Sequence, residues 1–477
     1  MRVPVRPLFL VAAVIGVLPP PVVAQQAALP VPQVPAAPMV VSKAQQALAD
    51  ALLDAGLADR GAFRMLEDLV TAAPKRLSGS PGYARAVEWG ERALLDAGLQ
   101  NVRRMPVMVP RWERGTPERA FATLDDGSRL ELAVCALGGS VATPAAGLTA
   151  PVVELAGMDA LRAAGESVRG KIVFLSEPMA PTRRATFEAY GGAVGQRSRG
   201  AIEAARLGAV GVVIRSMSTA QDDAPHTGAM RYEDGVERIP AGALGVTSAL
   251  RLARALRRGE VRSLTLAMHC RTLPEVEQWT VVGELPGTDL ADQVVVVGGH
   301  LDAWDKGVGA HDDGSGCAQS IEAARLLKKV GHRPRRTLRV VLFANEENGL
   351  RGGRAYAEET RDEPHYLAME SDSGGFSPRG IALALPEASL ARLRPLGAPL
   401  AVVGAERVLP GGEGADIGPL AARGALLASL RPDDARYFDV HHSDNDVLAA
   451  VNPRELELGA VVMAYWLAVL DGIEDLP

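Results

Sequence analysis

The chain has 477 residues and a formal net charge of −6, and 47% of its residues are hydrophobic. This composition excludes a largely disordered protein, and the length predicts about three domains or fewer large ones. The mildly acidic balance argues against nucleic-acid binding, because that function needs a concentrated basic face.

The amino-terminal segment has the pattern of an export signal. Residues 1–24 contain two arginines, an apolar run from Leu8 to Leu18 and a final Ala24, which predicts a secretory signal peptide cleaved after Ala24. The protein is therefore expected to be secreted or periplasmic. The alternative is an uncleaved anchor, but the run is shorter than the roughly 20 residues that span a bilayer. Residues 25–41, rich in Pro and Ala, predict a flexible leader, and no later stretch predicts a membrane span.

The three cysteines, Cys135, Cys270 and Cys317, lie far apart and form no CxxC motif. Neither a disulfide framework nor a cysteine zinc site is predicted. A single bridge between Cys135 and Cys270 remains open, whereas Cys317 is interpreted as a small buried thiol.

Residues 42–113 begin the folded part of the chain. The spacing of their apolar residues predicts helices over Lys43–Ala55 and Gly61–Ala73, and a third helix that stops at Gly98. Helices of this kind are typical of a layer packed on a sheet.

The pattern changes between residues 114 and 274. Short strands are predicted at Lys171–Leu175 and Val210–Ile214, with a helix at Gly200–Leu207 between them. Nothing in this stretch places His, Asp and Glu at the spacing of metal ligands. We interpret it as an inserted domain without catalytic residues.

Residues 275–477 alternate strands and helices. Strands are predicted at Trp279–Leu285, Gln293–Val297 and Leu338–Ala344, and a helix at Cys317–Val330. Such alternation predicts an α/β domain, in which ligands bind beyond the carboxyl ends of the strands.

The first chemically informative stretch is Gly298–Gly316, which reads GGHLDAWDKGVGAHDDGSG. His300 follows a strand, and a neutral imidazole is a common metal ligand. Asp302 could accept a hydrogen bond from the other ring nitrogen of His300. Asp312 lies in a glycine-rich turn, and a carboxylate has two oxygens with which to bridge two cations. His311 is expected to face solvent.

A second cluster, Asn345–Gly349 (NEENG), directly follows the predicted strand Leu338–Ala344. Glu347 is a candidate metal ligand. Glu346 is a candidate general base that would take a proton from a zinc-activated water and donate it to the leaving amine. The alternative is an exposed acidic pair at the start of a helix.

Two more candidate ligands come later in the chain. Asp372 lies just after the predicted extended segment His365–Ala368, and His442 lies in the sequence YFDVHHSDND. Asp446, four residues after His442, is a candidate hydrogen-bond partner for that ligand.

The ordered motifs GGHLDAW, GAHDDGSG, NEENG, MESDSG and YFDVHHSDND resemble those of the co-catalytic di-zinc exopeptidase family of secreted aminopeptidases. Within that family, the chain resembles the branch that includes plasma glutamate carboxypeptidase, a dipeptidase-like enzyme. The resemblance covers essentially the whole mature chain. It includes the Arg76–Gly82 turn and the Gly411–Asp416 stretch.

The resemblance implies a zinc exopeptidase fold, an α/β structure with a mixed central sheet flanked by helices. Residues 42–113 and 275–477 would form the catalytic domain, and residues 114–274 a β-rich α+β protease-associated insert. It also implies two zinc ions per chain, held by a bridging Asp312 and four further ligands: His300, Glu347, Asp372 and His442.

The family also implies roles for residues around these ligands. Glu346 would be the general base, and the Asp312–Asp313 peptide would be cis. His441 stands where some members place an oxyanion-stabilising Tyr, and we carry that role over to it. Asp302 and Asp446 are expected just behind the ligands.

The function implied is that of a secreted zinc exopeptidase, an aminopeptidase or dipeptidase, that hydrolyses short peptides. One alternative is a single-zinc acyltransferase resembling glutaminyl cyclase, and another is a receptor-type ectodomain without activity. A third, carboxypeptidase specificity, needs a cation for the substrate carboxylate, for which Arg351, Arg354 and Arg379 are candidates. The side-chain specificity stays open, as does a homodimer in which a second subunit helps to form the pocket.

Overall fold

The computed structural model describes residues 37–474. The predicted signal peptide and most of the leader lie outside the described residues. Between residues 37 and 474, no helix is both long enough and apolar enough to cross a bilayer.

The helices and strands of the described residues follow one another as the alternating pattern predicts. The helices are α1 (Lys43–Asp59), α2 (Gly61–Ala72), α3 (Pro81–Asp96), α4 (Gly157–Ala164), α5 (Thr186–Ser198), α6 (Gly200–Arg206), α7 (Val246–Arg257), α8 (Ser315–Lys329), α9 (Arg351–Glu359), α10 (Glu387–Leu393), α11 (Tyr437–Val440) and α12 (Pro453–Asp471). The strands are β1 (Gln100–Glu113), β2 (Arg119–Leu124), β3 (Arg129–Leu132), β4 (Val134–Ala136), β5 (Leu148–Ala150), β6 (Val152–Leu155), β7 (Ile172–Leu175), β8 (Gly211–Arg215), β9 (Ala241–Leu244), β10 (Val261–Ala267), β11 (Arg271–Leu285), β12 (Leu290–His300), β13 (Arg336–Phe343), β14 (His365–Glu370), β15 (Pro378–Leu383), β16 (Arg407–Pro410) and β17 (Leu426–Pro432).

The first helices begin where capping residues allow them to. The Ser42 hydroxyl accepts a hydrogen bond from the Gln45 backbone at 3.1 Å, and the Gln45 side chain accepts one from the Ser42 backbone at 2.8 Å. Together these bonds satisfy two amides that the start of α1 would otherwise leave unpaired. At the start of α3 the Ser80 hydroxyl accepts a hydrogen bond from the Tyr83 backbone, and Pro81 is the first residue of the helix.

The main sheet of the described residues has the order β1-β11-β13-β12-β14-β17-β15-β16. The neighbouring strands β13, β12, β14 and β17 run parallel, and antiparallel strands flank them. The predicted mixed sheet with flanking helices is confirmed. β13 is buried along its whole length, as expected of a strand covered by helices on both faces.

β1 and β11 form a long antiparallel pair, from Gln100 opposite Glu284 to Glu113 opposite Arg271. The predicted domain boundary between residues 274 and 275 therefore falls inside β11. Between these two strands, residues 119–267 build two smaller sheets, β3-β2-β10-β5 and β4-β9-β8-β7-β6. We refer to this part of the chain as the 119–267 region.

The 119–267 region contains the strands predicted from its sequence. β7 and β8 occupy the predicted positions, and α6 lies between them. Cys135 lies in β4 and Cys270 just after β10, and both thiols are buried and free. The bridge that the sequence left open is not formed in this structure.

Candidate metal centre

The candidate ligands meet at one edge of the main sheet. His300 ends β12, Glu347 follows β13, Asp372 follows β14, and His442 comes after β17. Because these four strands are parallel neighbours, their carboxyl ends lie side by side. Residues separated by as many as 142 positions in sequence, from His300 to His442, thus come together.

Asp312 lies between two groups of ligand atoms. Its Oδ1 is 3.2 Å from His300 Nε2, which is also 3.6 Å from Asp372 Oδ1. Its Oδ2 is 3.2 Å from His442 Nε2, which is also 3.0 Å from Glu347 Oε2. Asp312 Oδ1 therefore belongs to a group with His300 and Asp372, which we call the His300 half. Asp312 Oδ2 belongs to a group with His442 and Glu347, which we call the His442 half.

The spacing of these atoms fits metal binding. Ligand atoms roughly 2.0–2.2 Å from a tetrahedral zinc lie roughly 3.3 Å from one another, and the separations within the two halves are 3.0–3.6 Å. Imidazole nitrogens and carboxylate oxygens are ligands that zinc accepts. In addition, Asp312 Oδ2 is buried and has no hydrogen-bond donor in the described part of the chain. The residues therefore fit a pair of zinc ions.

Burial and close charges shift the proton affinities of these groups strongly. Burial by itself would lower the pKa of His442, but the carboxylates of Glu347 and Asp312 raise it to about 10. Burial raises the pKa of Glu347 to about 7. For Asp312, the adjacent imidazoles of His300 and His442 overcome the effect of burial and hold the pKa well below its usual value. Buried acids and imidazoles that compete for protons in this way are groups on which a divalent cation can replace the protons.

Two further side chains lie close enough to compete for a metal ion, His441 and Asp313. Asp313 is already engaged, because its carboxylate accepts hydrogen bonds from the backbone of His300 at 3.0 Å and of Gly316 at 2.9 Å. The Asp312–Asp313 peptide is cis, as the family resemblance implies. The His441 ring stacks on the His442 ring at 3.5 Å and keeps its Nε2 3.7 Å from Asp312 Oδ2.

The loop between His300 and Asp312 is held from behind by Arg76. This guanidinium is fully buried and donates from Nε to the Leu301 carbonyl at 2.8 Å and from Nη2 to the Gly309 carbonyl at 2.7 Å. It also donates to the Val308 carbonyl. Since these bonds reach both ends of the loop, Arg76 fixes His300 and Asp312 relative to each other.

Asp302 lies behind His300 but does not hold the ring with its carboxylate. His300 Nδ1 instead bonds to the backbone carbonyl of Asp302, at 3.0 Å. The Asp302 carboxylate accepts from the Ser78 hydroxyl at 3.1 Å and from the Glu346 backbone at 3.0 Å. It therefore connects the His300 loop to the backbone of Glu346.

Asp446 makes no hydrogen bond to His442 Nδ1, contrary to the expectation for it. Its carboxylate accepts hydrogen bonds from the backbone of His311 at 2.7 Å and of Asp312 at 3.1 Å. The spacing of four residues suggested a side-chain pair, but the chain between them turns at His442, whose φ is 62°. Asp446 therefore supports the bridging residue.

The expectation that His311 faces solvent is wrong. Its ring is buried and stacks on Phe376 with 4.2 Å between the ring centroids. Nδ1 accepts from the Gly375 backbone at 3.1 Å, and Nε2 lies 3.2 Å from the Ala450 carbonyl. Burial lowers the pKa of His311 to about 4, so the ring is a neutral connector between loops.

Sequence reasoning missed Glu370, which ends β14 two residues before Asp372. Its buried carboxylate accepts from the backbone of Ala415, Asp416 and Ile417 at 3.0–3.1 Å. These bonds hold the Gly411–Asp416 stretch against the carboxyl end of the sheet. A glutamate two residues before a candidate ligand was the available signal.

The 119–267 region also reaches the centre. The Thr227 backbone amide donates to the His442 carbonyl at 2.9 Å, and the neighbouring His226 is buried. Arg197, at the end of α5, lies close to both His441 and Gly228. No motif in the sequence connects these residues with the ligands.

Comparison with known proteins agrees with this arrangement. The family described as "Peptidase family M28" matches residues 280–467. The chain is 35% identical to carboxypeptidase Q of Bos taurus over 88% of this chain and 87% of the relative. Carboxypeptidase Q of Homo sapiens gives the same identity and coverage.

Solved structures show the same fold. A peptidase M28 precursor from Shewanella amazonensis is 35% identical, with a TM-score of 0.85 over 91% of this chain and 99% of that one. The zinc aminopeptidase BSAP from Bacillus subtilis is 18% identical, with a TM-score of 0.62 over 87% of this chain and 95% of that one, and so shares the fold. The family resemblance of the ordered motifs is thus confirmed, and the chain belongs to peptidase family M28.

Proposed function

We propose that this protein is a secreted two-zinc exopeptidase that hydrolyses short peptides, with Glu346 as the general base. The observation that carries the proposal is the division of the Asp312 oxygens between the His300 half and the His442 half. Relatives named carboxypeptidase Q and a zinc aminopeptidase of the same fold support both the reaction and the metal. Two complete halves favour this function over a single-zinc acyltransferase.

The open side of the site carries Glu346. Its side chain is 20% exposed, whereas that of Asp312 is 5% exposed. The side chain of Asp372 is also partly exposed, at 25%. A substrate would therefore approach past Glu346 and Asp372.

Bound zinc would supply Lewis acidity toward a scissile carbonyl and make water more acidic. Burial, reinforced by the charges of Asp372 and Glu347, raises the pKa of Glu346 well above its usual value. A carboxyl group that holds a proton this readily can take one from the attacking water and then donate it to the leaving amine. The Asp302 bond to its backbone keeps Glu346 at the mouth of the site.

His441 is the candidate partner for the oxyanion. Burial lowers its pKa well below the usual value, so the ring is neutral near pH 7 and keeps one N–H to donate. A preorganised donor of this kind stabilises the charge that develops on the carbonyl oxygen.

We also propose that residues 114–274 are a protease-associated insert and that residues 1–24 direct export. The two smaller sheets of the 119–267 region have apolar clusters of their own, which supports an insert. The bond from Thr227 to the His442 carbonyl supports a role for the insert in the site. Export depends on the sequence pattern alone.

The decisive experiment is Glu346→Gln. The variant should keep both zinc ions, because the proposed ligands are intact, and should lose at least about two orders of magnitude in turnover, the usual contribution of a general base. Zinc content and steady-state kinetics on dipeptides measure the two effects. Glu359→Gln, an exposed change on α9, is the matched control. Near-normal turnover of Glu346→Gln would contradict the assignment.

A further inference from the structure

One buried arginine beside the centre has guanidinium nitrogens without a hydrogen-bond acceptor among the described residues. Arg197 lies in the last turn of α5 and is 8% exposed. Neither its Nε nor its Nη1 finds a hydrogen-bond acceptor within residues 37–474. A buried guanidinium without an anion is costly, so a site of this kind is expected to receive an acceptor from outside the chain.

Arg197 lies one imidazole away from the bridging carboxylate. A Cβ atom added to Gly228 would contact both the Arg197 guanidinium and His442 Nδ1, so these two groups lie close to each other. His442 Nε2, on the other side of the same ring, is 3.2 Å from Asp312 Oδ2. The guanidinium is therefore separated from the bridging carboxylate by the width of the His442 ring.

Aromatic side chains fix the orientation of Arg197. Its guanidinium carbon lies 5.4 Å from the centroid of the Tyr190 ring, and that ring is 5.3 Å from the His441 ring. A guanidinium held against an aromatic face keeps its edge of N–H donors free for an anion. Gly228, with φ of 127° and no side chain, leaves the space that this packing needs.

We propose that Arg197 binds the free carboxylate at the carboxyl terminus of a short peptide substrate, an inference that rests on the proposed exopeptidase function. The fork of guanidinium N–H groups matches a carboxylate in geometry and charge. One extended residue spans at most about 3.3–3.6 Å, so the carboxyl terminus of a dipeptide or tripeptide bound at the centre stays close to the scissile bond.

The arginines near the ligand motifs are less suited to this role. Arg351 is paired with Glu275 at 2.7 Å, and Arg379 with Asp433 at 2.9 Å. Arg354 is exposed on α9. Of the four arginines considered, Arg197 is the one that is both buried and unpaired.

The test compares L-alanyl-L-alanine with its carboxyl-terminal amide as substrates of the zinc-loaded protein. The wild type should cleave the free acid with a kcat/KM at least tenfold above that for the amide. Arg197→Gln should lower kcat/KM at least tenfold for the acid and leave the amide within about twofold. Arg199→Gln should change neither value, because Arg199 is exposed and paired with Glu203 at 3.0 Å.

Each outcome decides between the proposals. Equal cleavage of acid and amide by the wild type, or an equal loss on both in Arg197→Gln, would overturn the role of Arg197 and leave the exopeptidase function standing. A zinc-loaded wild type that cleaves neither would overturn the exopeptidase function and this inference with it. Zinc content and the melting temperature check that the variant is folded. If Arg197→Gln does not fold, Arg197→Lys replaces it and should show an intermediate loss confined to the free acid, because it keeps the charge but not the fork.

Discussion

The two halves of the candidate metal centre share Asp312 but are supported differently. In the His300 half, the histidine ends a central strand and its Nδ1 is held by the Asp302 carbonyl at 3.0 Å. In the His442 half, the histidine has a left-handed backbone with φ of 62° and its buried Nδ1 has no partner among the described residues. A single backbone bond from Thr227 holds its carbonyl.

This difference means that each half depends on a different part of the molecule. The His300 half is fixed by the main sheet and by Arg76. The His442 half depends on the 119–267 region, which contributes Thr227 and Gly228. Partners behind a metal-bound histidine orient the ring and raise its affinity, so the halves should differ in how firmly they hold zinc.

The largest expected effect follows from removing the support of the His300 half. Arg76→Met keeps the size of the side chain but removes the donor of the Leu301 and Val308 carbonyls, whereas the Gly309 carbonyl keeps a bond from the Gly314 backbone. Each unsatisfied buried group costs about 1–3 kcal/mol, so the free energy of unfolding should fall by about 2 kcal/mol or more. Chemical denaturation of the wild type and the variant measures the change.

The matched control is Arg85→Met. Arg85 also donates to two backbone carbonyls, of Ala72 and Pro81, but its side chain is exposed. Water can replace those bonds, so the change should stay within about 0.5 kcal/mol. If Arg76→Met is as stable as Arg85→Met, the hydrogen bonds of Arg76 do not stabilise the His300 half.

The second prediction concerns the order in which zinc leaves. Because His442 Nδ1 lacks a partner while His300 Nδ1 has one, the ion of the His442 half should dissociate first, with an affinity about 10–100-fold lower. Titration with a chelator should release zinc in two steps.

Two matched variants identify the steps. Glu347→Gln removes a ligand of the His442 half and should abolish the early step, whereas Asp372→Asn removes one of the His300 half and should abolish the late step. If Asp372→Asn abolishes the early step instead, the difference in support does not set the affinities.

The fold was predictable where hydrophobic residues follow a regular period. The period of 3.6 residues located the first helices, and the continuous apolar runs located the central strands. α12 was missed because it is buried on all sides, so its sequence shows no polar face from which to read a helical period. β1 was missed because charged residues and prolines interrupt it, although Met105, Val107 and Val109 alternate into the core.

The candidate ligands were predictable for a different reason. His300, Glu347, Asp372 and His442 each come after one of the parallel strands of the main sheet, so their order in the sequence already placed them at a common edge. Their division into two halves depends on which strands are neighbours and on the direction of the Asp312 oxygens, neither of which the sequence contains. Arg197 and Thr227 come from a region without any ligand motif, and only the packing of that region brings them to His442.

The smallest expected effect comes from crowding the His442 half at Gly228. A methyl group there would lie 2.8 Å from His442 Nδ1 and collide with Arg197, so Gly228→Ala should displace the ring and weaken zinc binding in this half by about 1 kcal/mol. Gly235→Ala is the matched control, because Gly235 also has a positive φ, 81°, but open space around it. Both variants should lose some stability from the backbone strain, and only Gly228→Ala should release the early zinc at a lower chelator concentration. Equal release by both would show that the contact with the 119–267 region does not position His442.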